Sequence, residues 1–179
     1  MQYEMRSFTT ERLFMRPTEP KDKPLFFSLY TDAKVMRKIC PPFTEQEAEE
    51  AFNRTLSQTD RFGNKRLNWT IREQVTNQDI GFVGLTWDKA QNQPSIGVML
   101  LRHANGKSLP EEAVGALVEY GLHYLSVSRV YAVFDKNNLA SQRIVKKLGF
   151  IINTLDDENW FNSYVEQNHL AHHYLKECY

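Results

Sequence analysis

The stretch from Ser95 to Phe150 constrains the fold more than any other part of the chain. It opens with "SIGVMLL" (Ser95–Leu101), an apolar run that reads as a strand. A long helical pattern follows in "NGKSLPEEAVGALVEYGLHYLSV", where Ala113, Ala116, Leu117, Tyr120, Gly121 and Tyr124 recur on one face. Ser108 and Glu111 have the spacing of a capping box, and Pro110 suits the first turn. "RVYAVFD" then reads as a strand, "NLASQRIVKKL" as a helix, and Gly149 as that helix's C-cap. Strand, long helix, strand in this order requires a parallel crossover.

The segments on either side read differently. "RLFMRP" (Arg12–Pro17) alternates as a strand, and "PLFFSLYTD" after Asp22 reads as a short helix. In "FTEQEAEEAFNRTL", Thr44 and Glu47 form a capping-box pair, Phe43 can staple the start, and Ala48, Phe52 and Leu56 repeat at helical spacing. "LNWTIREQ" (Leu67–Gln74) and "DIGFVGLTWD" (Asp79–Asp88) read as strands. The short polar links "TNQD" and "KAQNQP" join them into antiparallel hairpins with Ser95–Leu101. After Phe150 come a short strand, a polar loop and a last strand near "HLAHHYLKE". The order β-α-α-β-β-β-α-β-α-β-β, with no linker, repeat or low-complexity segment, predicts one mixed α/β domain over residues 1–179.

Charge excludes some functions. Lys+Arg and Asp+Glu are both 22, so the chain lacks the basic excess that neutralises nucleic-acid phosphates. No apolar run reaches the ~20 residues of a membrane span, and "MQYEMRSFTTERL" lacks the order of a signal peptide. Cys40 and Cys178 form no spaced framework, so they read as reduced thiols of a cytoplasmic protein.

Two places carry candidate chemistry. "RHANGKSLPEE" lies between a strand and a helix, and its small residues let backbone N–H groups converge where the helix dipole is positive. That makes an anion site suited to a pyrophosphate, with Arg102 and Lys107 able to add charge; a plain tight turn is the other reading. Asn138 and Ser141 lie three apart on the first turn of the next helix, at the carboxyl end of a strand. One can cap the helix, leaving the other to meet a ligand; two alternative caps are the other reading.

Taken in order, these motifs resemble the GNAT superfamily of acyl-CoA-dependent N-acetyltransferases. "TERL" with "NNLASQRIVKKLGF" is most similar to its RimJ/RimL branch, which acetylates the N-termini of ribosomal proteins. The resemblance implies a mixed, mostly antiparallel sheet of about seven strands, splayed between the fourth (Ser95–Leu101) and fifth (Arg129–Asp135), with about four flanking helices. It implies acetyl-CoA as cosubstrate. The backbone of Met99, Leu100 and Leu101 would pair with pantetheine. The loop His103, Ala104, Asn105, Gly106, Lys107 and Ser108 would bind the pyrophosphate, with His103 and Ser108 departing from the family's usual residues. Asn138 matches the asparagine that bonds pantetheine, and Arg143 or Lys146 would meet CoA phosphates.

The catalytic groups are less regular. Many relatives place a tyrosine acid where this chain has Val145, and the RimL-like branch uses the serine of Asn-x-x-Ser, here Ser141. The usual strand glutamate is missing from Ser95–Val98, so Glu158 in "LDDENWFN" is the nearest match for a base, against a solvated acidic loop as the other reading. Helices 1 and 2 with Thr31–Phe43 are expected on the acceptor side, and Trp160 can wall it. His169, His172 and His173 have metal-like helical spacing, but a strand there separates them, so no metal is expected. The acceptor is an amine, either a protein N-terminus or a small molecule such as a polyamine or antibiotic. A non-catalytic acyl-CoA-binding module is the alternative from another class. Homodimers are common in the family, and the residues do not decide the point.

Overall fold

The computed structural model describes residues 4–58, 65–87, 92–154 and 159–179. In chain order the strands are β1 (Phe8–Thr9), β2 (Leu13–Pro17), β3 (Lys65–Glu73), β4 (Gln78–Trp87), β5 (Ser95–Leu100), β6 (Val130–Asp135), β7 (Ile151–Thr154), β8 (Trp160–Val165) and β9 (Glu177–Cys178). The helices are α1 (Lys23–Tyr30), α2 (Ala33–Met36), α3 (Glu45–Leu56), α4 (Leu109–Tyr124) and α5 (Leu139–Leu148). The strands form one sheet in the order β7-β8-β6-β5-β4-β3-β2-β1-β9.

All pairings are antiparallel except β5 with β6, the crossover that the helix between them demands. That parallel pair has a single register partner, Ser95 opposite Tyr131. Tyr131 N–H donates to Pro94 O (2.8 Å), and beyond this point no ladder joins the two strands. The sheet therefore splits between β5 and β6 toward their carboxyl ends, as the resemblance implied.

The two faces bury separate clusters. Leu67, Trp69, Leu85, Ala113, Leu117 and Tyr120 lie in the larger core, which α4 and α5 share with one face. Phe26, Leu29, Phe52 and Phe82 form the smaller core under α1 and α3, where Phe26 stacks on Tyr30 (4.1 Å between centroids). Thr44 and Glu47 form the expected capping box, with Glu47 N–H donating to Thr44 Oγ1 and Thr44 N–H to Glu47 Oε2. Under α1, Arg16 makes a bidentate pair with buried Asp22 (2.7 and 2.8 Å), and reaches Asp79 at 3.0 Å.

Several expectations are corrected. Nine strands form among the described residues rather than about seven, because two-residue β1 and β9 pair with each other at the far edge. Part of the supposed polar loop is strand β8, whose residues gain ladder partners on both β6 and β7. "HLAHH" is no strand: Gln167–His169 is a 3-10 turn, and the last strand is only Glu177–Cys178. Buried Glu119 holds this tail, accepting from Tyr174 N–H (2.8 Å) and Leu175 N–H (2.6 Å). The Ser108–Glu111 capping box does not form: Ser108 is left-handed (φ 60°), and its side chain caps nothing. Glu111 instead accepts from Lys147 Nζ at 3.1 Å. Tyr124, expected on the buried face, is 49% exposed at the end of α4.

Candidate active site

The split in the sheet opens into a cavity of about 380 Å³. Its lining comes from both sides of the sheet: Tyr30 of α1 and Thr55 of α3 on one, Asn138, Ser141 and Ile144 of α5 on the other. Gly97, Val98 and Met99 of β5 and Ala132–Asp135 of β6 form its walls.

Backbone geometry shows which groups of β5 face the crevice. Leu101 N–H donates to Ile80 O (2.8 Å), so Leu101 is bonded toward β4. Bonding direction alternates along an antiparallel pair, so Met99 and Gly97 also bond β4, while Val98 and Leu100 turn their N–H and C=O toward the split. Of the three residues expected to meet pantetheine, Leu100 thus presents its backbone, and Asn105 Nδ2 lies 3.5 Å from its carbonyl.

The following loop is stiffer than its sequence suggests. Arg102–Ala104 is a 3-10 turn in which Ala104 N–H bonds Leu101 O and Asn105 N–H bonds Arg102 O. Gly106 (φ 90°) and Ser108 (φ 60°) are both left-handed and flank Lys107. Left-handed positions interleaved in a turn aim successive N–H groups into one concavity, the form of an anion nest. The mouth of α4 adds its dipole. His103, Asn105, Gly106, Lys107 and Ser108 are exposed there, while Ala104 is buried. Arg12 of the β1–β2 turn fixes the loop: Nη1 donates to Lys107 O (2.9 Å), and Nε donates to buried Glu112 (2.7 Å). Arg102 is directed elsewhere, 3.8 Å from Asp32, which caps α2.

Asn138 and Ser141 divide their tasks. Asn138 Oδ1 accepts from Ser141 N–H (3.2 Å), so Asn138 is the cap, and its amide NH₂ is left over. Ser141 Oγ makes no hydrogen bond among the described residues and lines the cavity. Val145 also lines it, buried, with nothing to donate. Arg143 is exposed on α5. Glu158 lies outside the described residues. The neighbouring Trp160 lines both this cavity and a second one bounded by Arg37, Lys38, Pro41 and Pro42, continuous with the Thr31–Phe43 segment.

Other lining residues were not singled out from the sequence. Asp135 ends β6 at both cavities, its Oδ1 accepting from Asn137 N–H (2.7 Å). An acid at a strand's carboxyl end was the one hint available. Tyr30, Arg66 and Asn68 converge from α1 and β3. Burial pushes the Tyr30 phenol above its ordinary pKa, against the opposing charge of Arg66, so it stays protonated.

No group of His, Cys, Asp and Glu among the described residues could hold a metal ion, and no helix there is long and apolar enough to cross a membrane. Residues 12–151 match the Acetyltransferase (GNAT) domain family. An uncharacterized N-acetyltransferase, p20 of Bacillus licheniformis, is 27% identical over 82% of this chain and 83% of its own length. The uncharacterized N-acetyltransferase YoaA of Bacillus subtilis is 24% identical over 89% and 88%. Among solved structures, a GNAT-family acetyltransferase from Bacillus anthracis superposes with a TM-score of 0.74 at 21% identity, over 90% of this chain and 99% of its own. Spermidine N-acetyltransferase from Vibrio cholerae, in complex with CoA and spermine, gives 0.75 at 16% identity, over 88% and 97%. The split sheet, the loop at the mouth of α4 and the family match lead to one conclusion: the chain belongs to the GNAT family and is an acetyltransferase.

Proposed function

We infer that this chain transfers an acetyl group from acetyl-CoA to a primary amine by direct attack in a ternary complex, and that the amine is the N-terminus of a protein, as in the RimJ/RimL branch. One observation carries the reading: the cavity passes through the sheet, with Ser141 and Asn138 on one side and Tyr30 and Thr55 on the other. Donor and acceptor can then meet without a covalent enzyme intermediate.

Acetyl-CoA supplies an activated thioester. The residues here fit it: the backbone groups of Val98 and Leu100 that face the split suit an extended pantetheine arm, and the nest at Gly106–Ser108, past the 3-10 turn that uses the Ala104 and Asn105 amides, suits its pyrophosphate. Asn138 offers its spare NH₂ to a pantetheine carbonyl, and exposed Arg143 reaches for the outer phosphates. Val98 N–H polarises the thioester carbonyl, a preorganised donor of the kind that dominates acyl transfer. Ser141 Oγ relays a proton to the departing sulfur as the C–S bond breaks, and is reprotonated, through water, by the proton that the attacking nitrogen gives up.

The attacking nitrogen must be neutral. An α-amino group has pKa ≈ 8 and a lysine ≈ 10.4, so an N-terminus is already about a tenth neutral at pH 7 and needs only weak help. Asp135 is the carboxylate among the described lining residues, placed to orient the ammonium and pass its proton to water; Glu158, outside the described residues, is the base that the family resemblance implies. The groove past Pro41, Pro42 and Trp160 leaves room for a chain to trail from the site. A polyamine acceptor is the second reading, since a spermidine enzyme shares the fold.

Release of free CoA from acetyl-CoA, followed against panels of peptides and small amines, tests the proposal. Selective turnover of peptide N-termini supports it. Preference for spermidine replaces it with the second reading, and tight acetyl-CoA binding without turnover for any acceptor makes the protein a sensor.

A further inference from the structure

Arg66 is a charged group that the chemistry above does not use. It sits on β3 opposite Thr86 of β4, which in turn lies opposite Ser95 of β5. Its side chain lines the cavity beside Tyr30 and Asn68, on the face covered by α1 and α3. Its Nε is buried and has no hydrogen-bond partner. The arginines on neighbouring positions are paired: Arg16 with Asp22 and Asp79, Arg72 with Asp79. Arg66 forms no ion pair with any described residue. A guanidinium held this way in a cavity is costly unless something anionic reaches it.

The cofactor's phosphates are in the wrong place to be that anion. The nest follows the carboxyl end of β5, whereas the Arg66 row meets its amino end at Ser95. Ser95–Leu100 spans ~17 Å of strand. The row is on the acceptor's side of the sheet. Charge agrees: among the described lining residues, Arg66 and Lys38 oppose Asp135 alone. That balance repels a polycation.

We propose that Arg66 is the anion-recognising element of the acceptor subsite, and that the acceptor carries a carboxylate close to its reactive amine. The inference rests on the acetyltransferase reading for the identity of the ligand, but not for the existence of the anion site. The planar guanidinium offers two parallel N–H donors to a carboxylate, and Tyr30 O–H stands beside it to donate a third. The carboxylate has two possible sources: the α-carboxylate of a free amino acid, or an acidic side chain at the second position of a peptide.

Matched acceptors that differ in one carboxylate separate these cases, with kcat/KM expressed per neutral amine because an α-carboxylate also raises the pKa of the amine beside it. Leucine is compared with leucinamide, and a tetrapeptide beginning Met-Glu with one beginning Met-Gln. The acid of one pair should exceed its amide by about 30-fold in kcat/KM, the size of a charge-assisted contact. In Arg66→Met that ratio should fall to within about twofold, and Arg66→Lys should restore part of it. Because the readout is a ratio within one protein, partial loss of folded material does not distort it. Ratios near one for both pairs in the parent protein, or a ratio untouched by Arg66→Met, overturn the proposal. If no acceptor turns over, calorimetry of the CoA-saturated protein with the same four compounds decides. Selective binding of an acid, lost in Arg66→Met, keeps the subsite and removes the transferase reading; absence of selective binding removes the subsite.

Discussion

Asn138 has two separable jobs, and one pair of substitutions tells them apart. Its Oδ1 caps α5 by accepting from Ser141 N–H at 3.2 Å, and its NH₂ remains for the pantetheine arm. Asn138→Ala removes both. Loss of an N-cap costs about 1 kcal/mol, which in a chain of this size lowers Tm by about 2–4 °C. Loss of a neutral hydrogen bond to the ligand costs about 1–1.5 kcal/mol, or about 10-fold in Kd for CoA. Asn138→Asp is the informative partner. A carboxylate oxygen still caps, and its charge suits the helix N-terminus, so Tm should stay level or rise slightly. Yet it replaces the donor by a second acceptor facing a ligand carbonyl, so CoA affinity should fall by 10-fold or more. Differential scanning fluorimetry and titration calorimetry on the three proteins give both numbers. An Asn138→Asp protein that binds CoA as tightly as the parent would falsify the assignment, since the NH₂ would then contribute nothing.

Other outcomes follow from the same geometry. Ser141→Ala should lower kcat by about 10- to 100-fold while leaving Kd for CoA within about twofold, in stopped assays paired with calorimetry; equal turnover removes the acid role. Gly106→Val should weaken CoA binding through backbone strain, because a Cβ there meets nothing within 4 Å but φ is 90°. Calorimetry checks it, and unchanged affinity means the turn is not the pyrophosphate site. Asp22→Asn breaks a buried bidentate pair and should cost about 3 kcal/mol by urea denaturation. Burial acts to raise the pKa of Asp22, but bonds from Arg16, the Glu19 backbone and Thr70 outweigh it and hold the carboxyl below the usual range. A depressed native pKa means that Asp22 stabilises the fold above the ordinary carboxylate pKa, and that this stability drains away as pH falls through the native value. The acid side of the stability profile should therefore flatten in Asp22→Asn, read from urea midpoints between pH 5 and pH 2.

Local chemistry was legible where one element contains both partners. The Thr44–Glu47 box forms as its spacing dictates, and Gly149 (φ 92°) ends α5 where only a glycine fits, its missing Cβ leaving room for His169 O. The Ser108–Glu111 box had the same spacing and failed. Arg12 and Lys147 from distant segments draw Lys107 O, Glu112 and Glu111 into other bonds, and Ser108 turns left-handed. The spacing of a motif states what a segment can do alone, and a stronger tertiary partner can override it.

By itself the sequence determined the crossover, the helix that follows it, and the Asn138–Ser141 pair at the mouth of α5, because hydrophobic period, caps and chain connectivity are properties of contiguous residues. Only the tertiary structure decided that β5 and β6 part after Ser95 and Tyr131, and that Arg66, Tyr30, Asn68 and Asp135 line one cavity. Those residues come from separate strands and a helix. Their meeting depends on register and twist summed over the whole sheet, which no local pattern encodes.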